Sequence, residues 1–325
     1  MRIQLVSPTS TLARTGNQCT AAQWANVLED LGHRVVLTTP GDPLDGMDIL
    51  LALHAVKCHA TILAHSHKHP DKPRIVALAG TDLYGGDAVK LQESMEAADH
   101  LVVLQHRALQ RLSMEQRTRA RVITQSVAVL ETEVSKRTRD PFDVCVVGHL
   151  RPIKDPMRAA AASRLLPDAS RIRIRHAGAI LDESYRPLVD QEMQENPRYA
   201  WLGELDSYQV AHLMAQCHLM VVSSLSEGGA RIIGEAIVQG TPVIGTEVDG
   251  VLGLLDEEYP GTFPVGDTQR LADLLWRCES DEAYLADLRK RTELLAANFD
   301  PQIERSAWKA LMDDCKSALV GGSRL

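Results

Sequence analysis

"SLSEGGARIIGEAIVQGTPVIG", residues 224–245, sets Glu227 and Glu235 on either side of a glycine pair, with seven residues between them. The run before it, "HLMVVSS", is short and apolar, and the run after it, "TPVIG", is another. Short apolar segments bounded by turn residues and separated by a helix-length stretch predict buried parallel strands. "LSEGGA" is then the exit turn of the first strand, and residues 229–238 form a helix that Gly240 ends. Gly228 and Gly229 let the main chain come close to a ligand, and the amides of Gly229 and Ala230 stand at a helix N-terminus, where an anion is stabilised. A diphosphate suits that place. Glu235, about a turn and a half along the helix, can reach hydroxyls beyond the phosphates, whereas Glu227 lies beside whatever the diphosphate carries. Taken alone, the two carboxylates also fit a helix cap and a solvated surface residue.

The same grammar runs through the rest of the chain. "RIQLVS", "HRVVLTT", "DILLAL", "RIVALAG", "HLVVLQ" and "ARVITQS" alternate with helical patterns before residue 130, and "DVCVVGHL", "RIRIRHAG", "YAWLGEL", "HLMVVSS", "TPVIGT" and "GTFPV" do so after residue 140. Between them "ETEVSKRTRD", residues 131–140, is polar and without apolar periodicity, so it reads as a linker. An α/β fold follows, with an N-terminal Rossmann-like domain over 1–130, a C-terminal one over 141–299, and a ligand cleft between them at the carboxyl ends of the strands. Trp308, Leu311 and Cys315 recur at helical spacing, so residues 300–318 read as a terminal helix that packs back on the first domain.

Composition narrows the function. With 325 residues the chain is long enough for two domains. Its 35 Lys plus Arg against 43 Asp plus Glu, without a basic block, argue against a nucleic-acid partner. No apolar run approaches the ~18 residues that cross a bilayer, so no membrane partner is expected. The six cysteines are scattered with no C-x-x-C pair, and "MRIQLVSP" reads as a strand and not as a secretion signal, so a reduced, cytoplasmic setting is the expectation. "HSHKH" (His65, His67, His69) reads as a solvated helix end before a proline turn, and no metal site is expected. No strand is followed by G-x-G-x-x-G, which argues against a nicotinamide dinucleotide enzyme.

The opening stretch resembles the donor motif of retaining, family-four-type glycosyltransferases of the two-Rossmann GT-B architecture. Glu227, Gly228, Glu235, Gly240, Pro242 and Val243 match; Gly229 stands for the usual Phe and Ala230 for the usual second Gly. "VVGHLRPIKDP", residues 146–156, is similar to the family's phosphate-neutralising segment: Lys154 matches, His149 stands where Arg is usual, and Arg151 is the candidate replacement. The resemblance implies Lys154, Glu227 and Arg151 as catalytic groups, and Gly228, Gly229, Ala230, Arg231 and Glu235 as donor contacts. It also implies that the nucleotide base lies against Gly203, Glu204 and Leu205. Breaking the bond from the anomeric carbon to the diphosphate leaves a cationic sugar and an anionic leaving group, so fixed positive charge and aligned amides lower the barrier.

The acceptor side must come from the first domain, where small polar and basic groups follow the strands: Gly16 and Asn17 in the first strand-to-helix turn with Thr20 opening the helix, then His54 and Lys57, then Thr81, Asp82 and Tyr84. Such a set suits a small anion, although Asn17 also fits a turn, Thr81 and Asp82 a helix cap, and His54 a satisfied core histidine. "GTDLY", "FDVCVVGHLR" and "SSLSEGGA" together resemble the selenosugar synthases of selenoneine biosynthesis, with Arg231 and Val251 standing where Asn is expected. That resemblance implies UDP-GlcNAc or UDP-glucose and selenophosphate as substrates, no cofactor, a 1-selenosugar product with UDP and phosphate, and a hand-off to a downstream selenoneine-forming enzyme. Phosphate-holding is assigned to Lys57, Asn17 and Thr81. A conventional glycosyltransferase with a hydroxyl acceptor and, further off, a two-lobed nucleotide sensor are the alternatives.

Overall fold

The computed structural model describes residues 1–8, 16–41, 43–80, 82–129 and 140–321. The chain divides into two compact units, Met1–Ser126 joined by Asp300–Leu325, and Val127–Phe299. Of the polar stretch 131–140, all but Asp140 lies outside the described residues. The first unit runs β1 (Arg2–Val6), α1 (Gly16–Asp30), β2 (Arg34–Thr38), β3 (Ile49–Leu53), α2 (His59–Lys68), β4 (Arg74–Leu78), α3 (Ala88–Ala97), β5 (His100–Val103), α4 (Met114–Thr118) and β6 (Ala120–Val122). The second runs β7 (Phe142–Val147), α5 (Arg158–Ser163), β8 (Ile172–Ala177), α6 (Tyr185–Glu195), β9 (Tyr199–Trp201), α7 (Ser207–Gln216), β10 (Leu219–Val222), α8 (Arg231–Val238), β11 (Val243–Thr246), α9 (Asp249–Leu252), β12 (Thr262–Phe263), α10 (Thr268–Ser280) and α11 (Glu282–Leu295). The last helix, α12 (Pro301–Gly321), belongs to the first unit.

Each unit is built on a parallel sheet. The strand orders are β2-β1-β3-β4-β5-β6 and β12-β11-β10-β7-β8-β9. β3 and β10 are buried at every residue, as strands covered on both faces must be. One face of the first sheet packs Ile3, Leu5 and Ile49 against Trp24 and Leu28 of α1 and Trp308 and Leu311 of α12; the other packs Leu50 and Val76 against Ile62 and Met95. In both sheets the order reverses once, at β1/β3 and at β7/β10. Exit loops diverge at such a reversal and leave a crevice beyond the carboxyl ends of the strands.

A buried carboxylate knits α1 and α12 to the segment after β6. Glu304 accepts from Gln23 Nε2 (2.6 Å), Trp24 Nε1 (3.0 Å), the Ser126 amide (3.0 Å) and the Ser126 hydroxyl (2.6 Å). Four donors offset the cost of burying this charge. The next amide, Val127, donates to the Phe299 carbonyl (3.0 Å), so the two segments by which the chain enters and leaves the second unit are bonded to each other.

Two sequence readings are corrected. Thr20 does not open the first helix: α1 starts at Gly16, and Thr20, a turn further in, donates back to the Gly16 carbonyl (2.9 Å) and accepts from Gln125 Nε2 (2.6 Å). The His65–His69 cluster is not solvated throughout. His65 is buried without a hydrogen bond at either ring nitrogen, and burial pushes its imidazole down to about 4, while His67 is exposed. His65 falls on the buried face of α2 with Thr61 and Ile62, and a neutral imidazole is the form that burial tolerates. Five of the six cysteines are buried, with Cys58, Cys278 and Cys315 pushed up to about 12 by burial; Cys19 on α1 is exposed. Replacing Glu304 by alanine strands four donors, and a stability loss of about 2–4 kcal/mol is expected in urea unfolding. A midpoint equal to the parent's would show that these donors find other partners.

Candidate active site

The chain leaves β7 through Gly148–Leu150 and a single helical turn at Pro152–Lys154, and leaves β10 through Ser223–Ala230 into α8. Because β10 pairs with β7, these two exit loops lie side by side. The Leu225 amide donates to the Ile153 carbonyl (2.9 Å), and the Ser223 hydroxyl reaches the carbonyls of Lys154 (3.1 Å) and Asp155 (2.9 Å). Asp155 turns the chain with a positive φ of 44° and is held by Arg158 Nε (2.7 Å). The lacing delivers Lys154 to Glu227: its ammonium donates to Glu227 Oε1, which also accepts from the Ser224 hydroxyl (2.6 Å). Both side chains are mostly buried, and they line a small cleft together with Gly148, His176, Ser223 and Ser224.

The Glu227 loop is clamped from behind. Thr246 donates to the Ser224 carbonyl (2.7 Å), and the Ala230 amide donates to the Gly250 carbonyl (3.3 Å). A Cβ on Gly250 would lie 2.1 Å from the Glu227 carbonyl oxygen, so only glycine lets α9 approach so closely. The Ala230 amide, expected to face an anion, is turned toward the Gly250 carbonyl. α8 begins at Arg231, and Arg231 Nε pairs with Glu235 Oε1 (2.8 Å) one turn on. The two expected donor contacts thus hold each other.

The floor of the cleft contains a residue that the motifs did not single out. His176 is fully buried, and its Nε2 lies 3.2 Å from the Gly148 carbonyl, which can only accept; Nδ1 therefore accepts the Tyr199 hydroxyl at 2.9 Å. Burial pushes this imidazole down to about 4, so it is neutral. In "RIRIRHAG" the inward alternation of Ile172, Ile174 and His176 was the available signal. Gly178 meets the same carbonyl, where a Cβ would come within 2.0 Å, and its amide donates to the Gly203 carbonyl (2.8 Å). Gly203, at a φ of 74°, thereby ties the segment carrying Glu204 and Leu205 to the edge of the β7 loop. His149 accepts the Ala179 amide at Nδ1 (3.1 Å), and Arg151 is exposed.

The expected acceptor groups belong to the first unit. His54 and Asp82 come together at the ends of β3 and β4, Lys57 is exposed one turn beyond, and Gly16 and Asn17 form the first turn of α1. Thr81 lies outside the described residues. Among the described residues no three His, Cys, Asp or Glu side chains converge as a metal ion would require, and no helix is long and apolar enough to cross a membrane.

Two parallel Rossmann-like units, one carrying a lysine and a glutamate at its strand-order reversal, define the GT-B glycosyltransferase class. The family model described as glycosyl transferases group 1 matches residues 131–294, half of the chain, and the chain belongs to that family. Among solved structures, HepE of Anabaena, in complex with UDP and glucose, aligns with a TM-score of 0.75 at 16% identity, covering 96% of this chain and 100% of that one. The same protein with UDP-glucose aligns at 0.76 and 17%, over 96% and 100%. Sucrose-phosphate synthase of Thermosynechococcus elongatus aligns at 0.81 and 17%, over 98% and 99%. No curated protein matches the sequence.

Gly250→Ala tests the clamp without altering any polar group of the cleft. Overpacking there costs about 1–3 kcal/mol, and the displaced Glu227 loop is expected to lower glycosyl transfer at least about tenfold with the circular dichroism spectrum retained. Unchanged turnover would show that the loop holds its place without this contact.

Proposed function

We propose that the protein transfers a sugar from a UDP-sugar, UDP-GlcNAc or UDP-glucose, to selenophosphate and forms a carbon–selenium bond. The observation that carries the donor half is the Lys154–Glu227–Ser224 constellation at the β7/β10 reversal of a group 1 glycosyltransferase. HepE, alike in fold, is solved with UDP and with UDP-glucose, which supports the choice of nucleotide. The acceptor half rests on the resemblance of "GTDLY", "FDVCVVGHLR" and "SSLSEGGA" to selenosugar synthases and on the small polar groups that follow β3 and β4.

Lys154 and Glu227 pair with each other in the cleft. An arriving diphosphate competes for the ammonium, and the freed carboxylate becomes an acceptor for sugar hydroxyls. Glu235 accepts from the ribose diol, and Gly203–Leu205 offer main-chain groups to the base. Selenium attacks the anomeric carbon as the bond to the diphosphate oxygen breaks and UDP departs with the electron pair; Lys154 meets the growing charge. Water then attacks phosphorus, the P–Se bond breaks, and phosphate leaves the 1-selenosugar, whose selenium takes the proton. Selenophosphate is soft and anionic at neutral pH, so this attack needs no strong base. No cofactor enters, and the product passes to an enzyme that builds on the selenium. Arg151, exposed before the helical turn, is the second cation within reach of the phosphates.

Incubation with UDP-GlcNAc or UDP-glucose and selenophosphate should yield UDP, phosphate and the selenosugar by mass spectrometry. Transfer to a hydroxyl acceptor with selenophosphate inert would replace the acceptor half and leave the donor half standing. Lys154→Ala is expected to lower kcat about a hundredfold or more, and Glu235→Ala to weaken UDP binding by roughly 1.5–3 kcal/mol in calorimetry. An unaltered kcat in the first, or an unaltered UDP affinity in the second, removes that residue from its role.

A further inference from the structure

At the end of β3, beside the strand-order reversal of the first sheet, stands a non-glycine residue in a conformation that favours glycine: His54 has a φ of 102° and is buried. Strain of this kind persists where the surroundings over-determine it, and it concentrates at functional positions. Here the side chain is what the surroundings hold. Nδ1 lies 3.3 Å from the Lys57 amide and 3.5 Å from Asp82 Oδ2. Asp82 is itself fixed by the amides of Ala55 (2.8 Å) and Gly80 (3.0 Å), which join the exit loops of β3 and β4. The ring lies against Gly80, where a Cβ would come within 3.2 Å of its Cδ2.

This arrangement decides the tautomer. An N–H that donates to Nδ1 leaves the neutral ring its hydrogen on Nε2. Among the described residues nothing hydrogen-bonds Nε2, and this nitrogen is not sealed from solvent. The charged groups that act on the ring are the Asp82 carboxylate, which favours its protonation, and the Lys57 ammonium, which opposes it. A neutral imidazole thus offers a donor outward; a second hydrogen on Nδ1 would exchange the Lys57 amide for Asp82 Oδ2, 3.5 Å away, as the partner of that nitrogen.

We propose that His54 Nε2–H takes an oxygen of the acceptor's phosphoryl group, and that this anion draws a proton onto Nδ1 toward Asp82, so that acceptor affinity rises as pH falls. The inference rests on the reading of the acceptor as a phosphate-bearing anion. Burial, ahead of the attraction of Asp82, holds the free imidazole below its ordinary value, so the ring is neutral near neutral pH. An anion at Nε2 favours the charged form and raises that value. Anion binding and proton binding therefore reinforce each other, and affinity grows as pH drops through the His54 titration.

The test is a pH titration of the full chain labelled with 15N-histidine, with and without inorganic phosphate, the His54 signals being those missing from His54→Asn. Asparagine tolerates positive φ, so the fold should survive; Asp82→Asn serves as the second variant. Phosphate should perturb the Nε2 resonance and move the His54 midpoint upward by about one pH unit, and the move should shrink in Asp82→Asn. In kinetics, His54→Asn should raise the KM for selenophosphate about tenfold, flatten its pH dependence and leave the KM for UDP-GlcNAc unchanged. If saturating phosphate leaves the His54 resonance and midpoint in place while selenosugar still forms, the proposal falls and the functional reading stands. If phosphate moves His54 and no selenosugar forms, the anion site stands and the selenophosphate reading falls. An acceptor KM in His54→Asn equal to the parent's at every pH also overturns the proposal.

Discussion

The pairing of β10 with β7 is the constraint on which the donor cleft depends. Met220 registers with Cys145 and Val221 with Val146, although β8 and β9 intervene in sequence. Once the chain has built outward from β7 on one side, it must return to lay β10 on the other, and the two exit loops part above the seam. Lys154 arrives from one loop and Glu227 from the other. Glu227 belongs to no helix or strand and Lys154 only to a single helical turn, and both are positioned by bonds between the loops, Leu225 to Ile153 and the Ser223 hydroxyl to Lys154 and Asp155. The opposite charges meet because the strand order brings their loops together, and the Ser224 hydroxyl and the Gly250 contact then fix the carboxylate.

The first sheet repeats the reversal at β1/β3 with different chemistry. There the exit loops of β3 and β4 are joined by a buried carboxylate, Asp82, that accepts main-chain amides from both. A second buried carboxylate, Glu304, performs the corresponding task for α1, α12 and Ser126. Both anions are satisfied largely by neutral donors, so each holds several chain segments at fixed distances without a partner cation. Removal of either strands the donors it collects.

The parallel sheets were legible because strands buried on both faces are written as unbroken apolar runs, as in "ILLAL" and "LMVV". Lys154, Glu227 and Glu235 were legible because a motif fixes their spacing. Gly250 was not, since what requires a glycine is contact with a carbonyl twenty-three residues earlier. His176 was half legible: the alternation of β8 points it inward, but the tautomer depends on Gly148 and Tyr199, which no local pattern places beside it. The start of α1 was read four residues late, because Thr20 looks like a cap while its hydroxyl in fact bonds back to Gly16. His65 was misread for a related reason: a run of polar letters conceals which of them lies on the inward face.

The distribution of thiols has a practical corollary. Five cysteines are sealed in the two cores, whereas Cys19 is exposed on α1, two residues beyond Asn17 and one before Thr20. Nucleophilic sulfur must be both accessible and ionisable to react, and burial denies the core thiols both conditions. A maleimide dye added to the native protein would therefore attach at one position without prior mutagenesis. Its fluorescence would report on the first turn of α1, giving an optical readout of ligands that settle there.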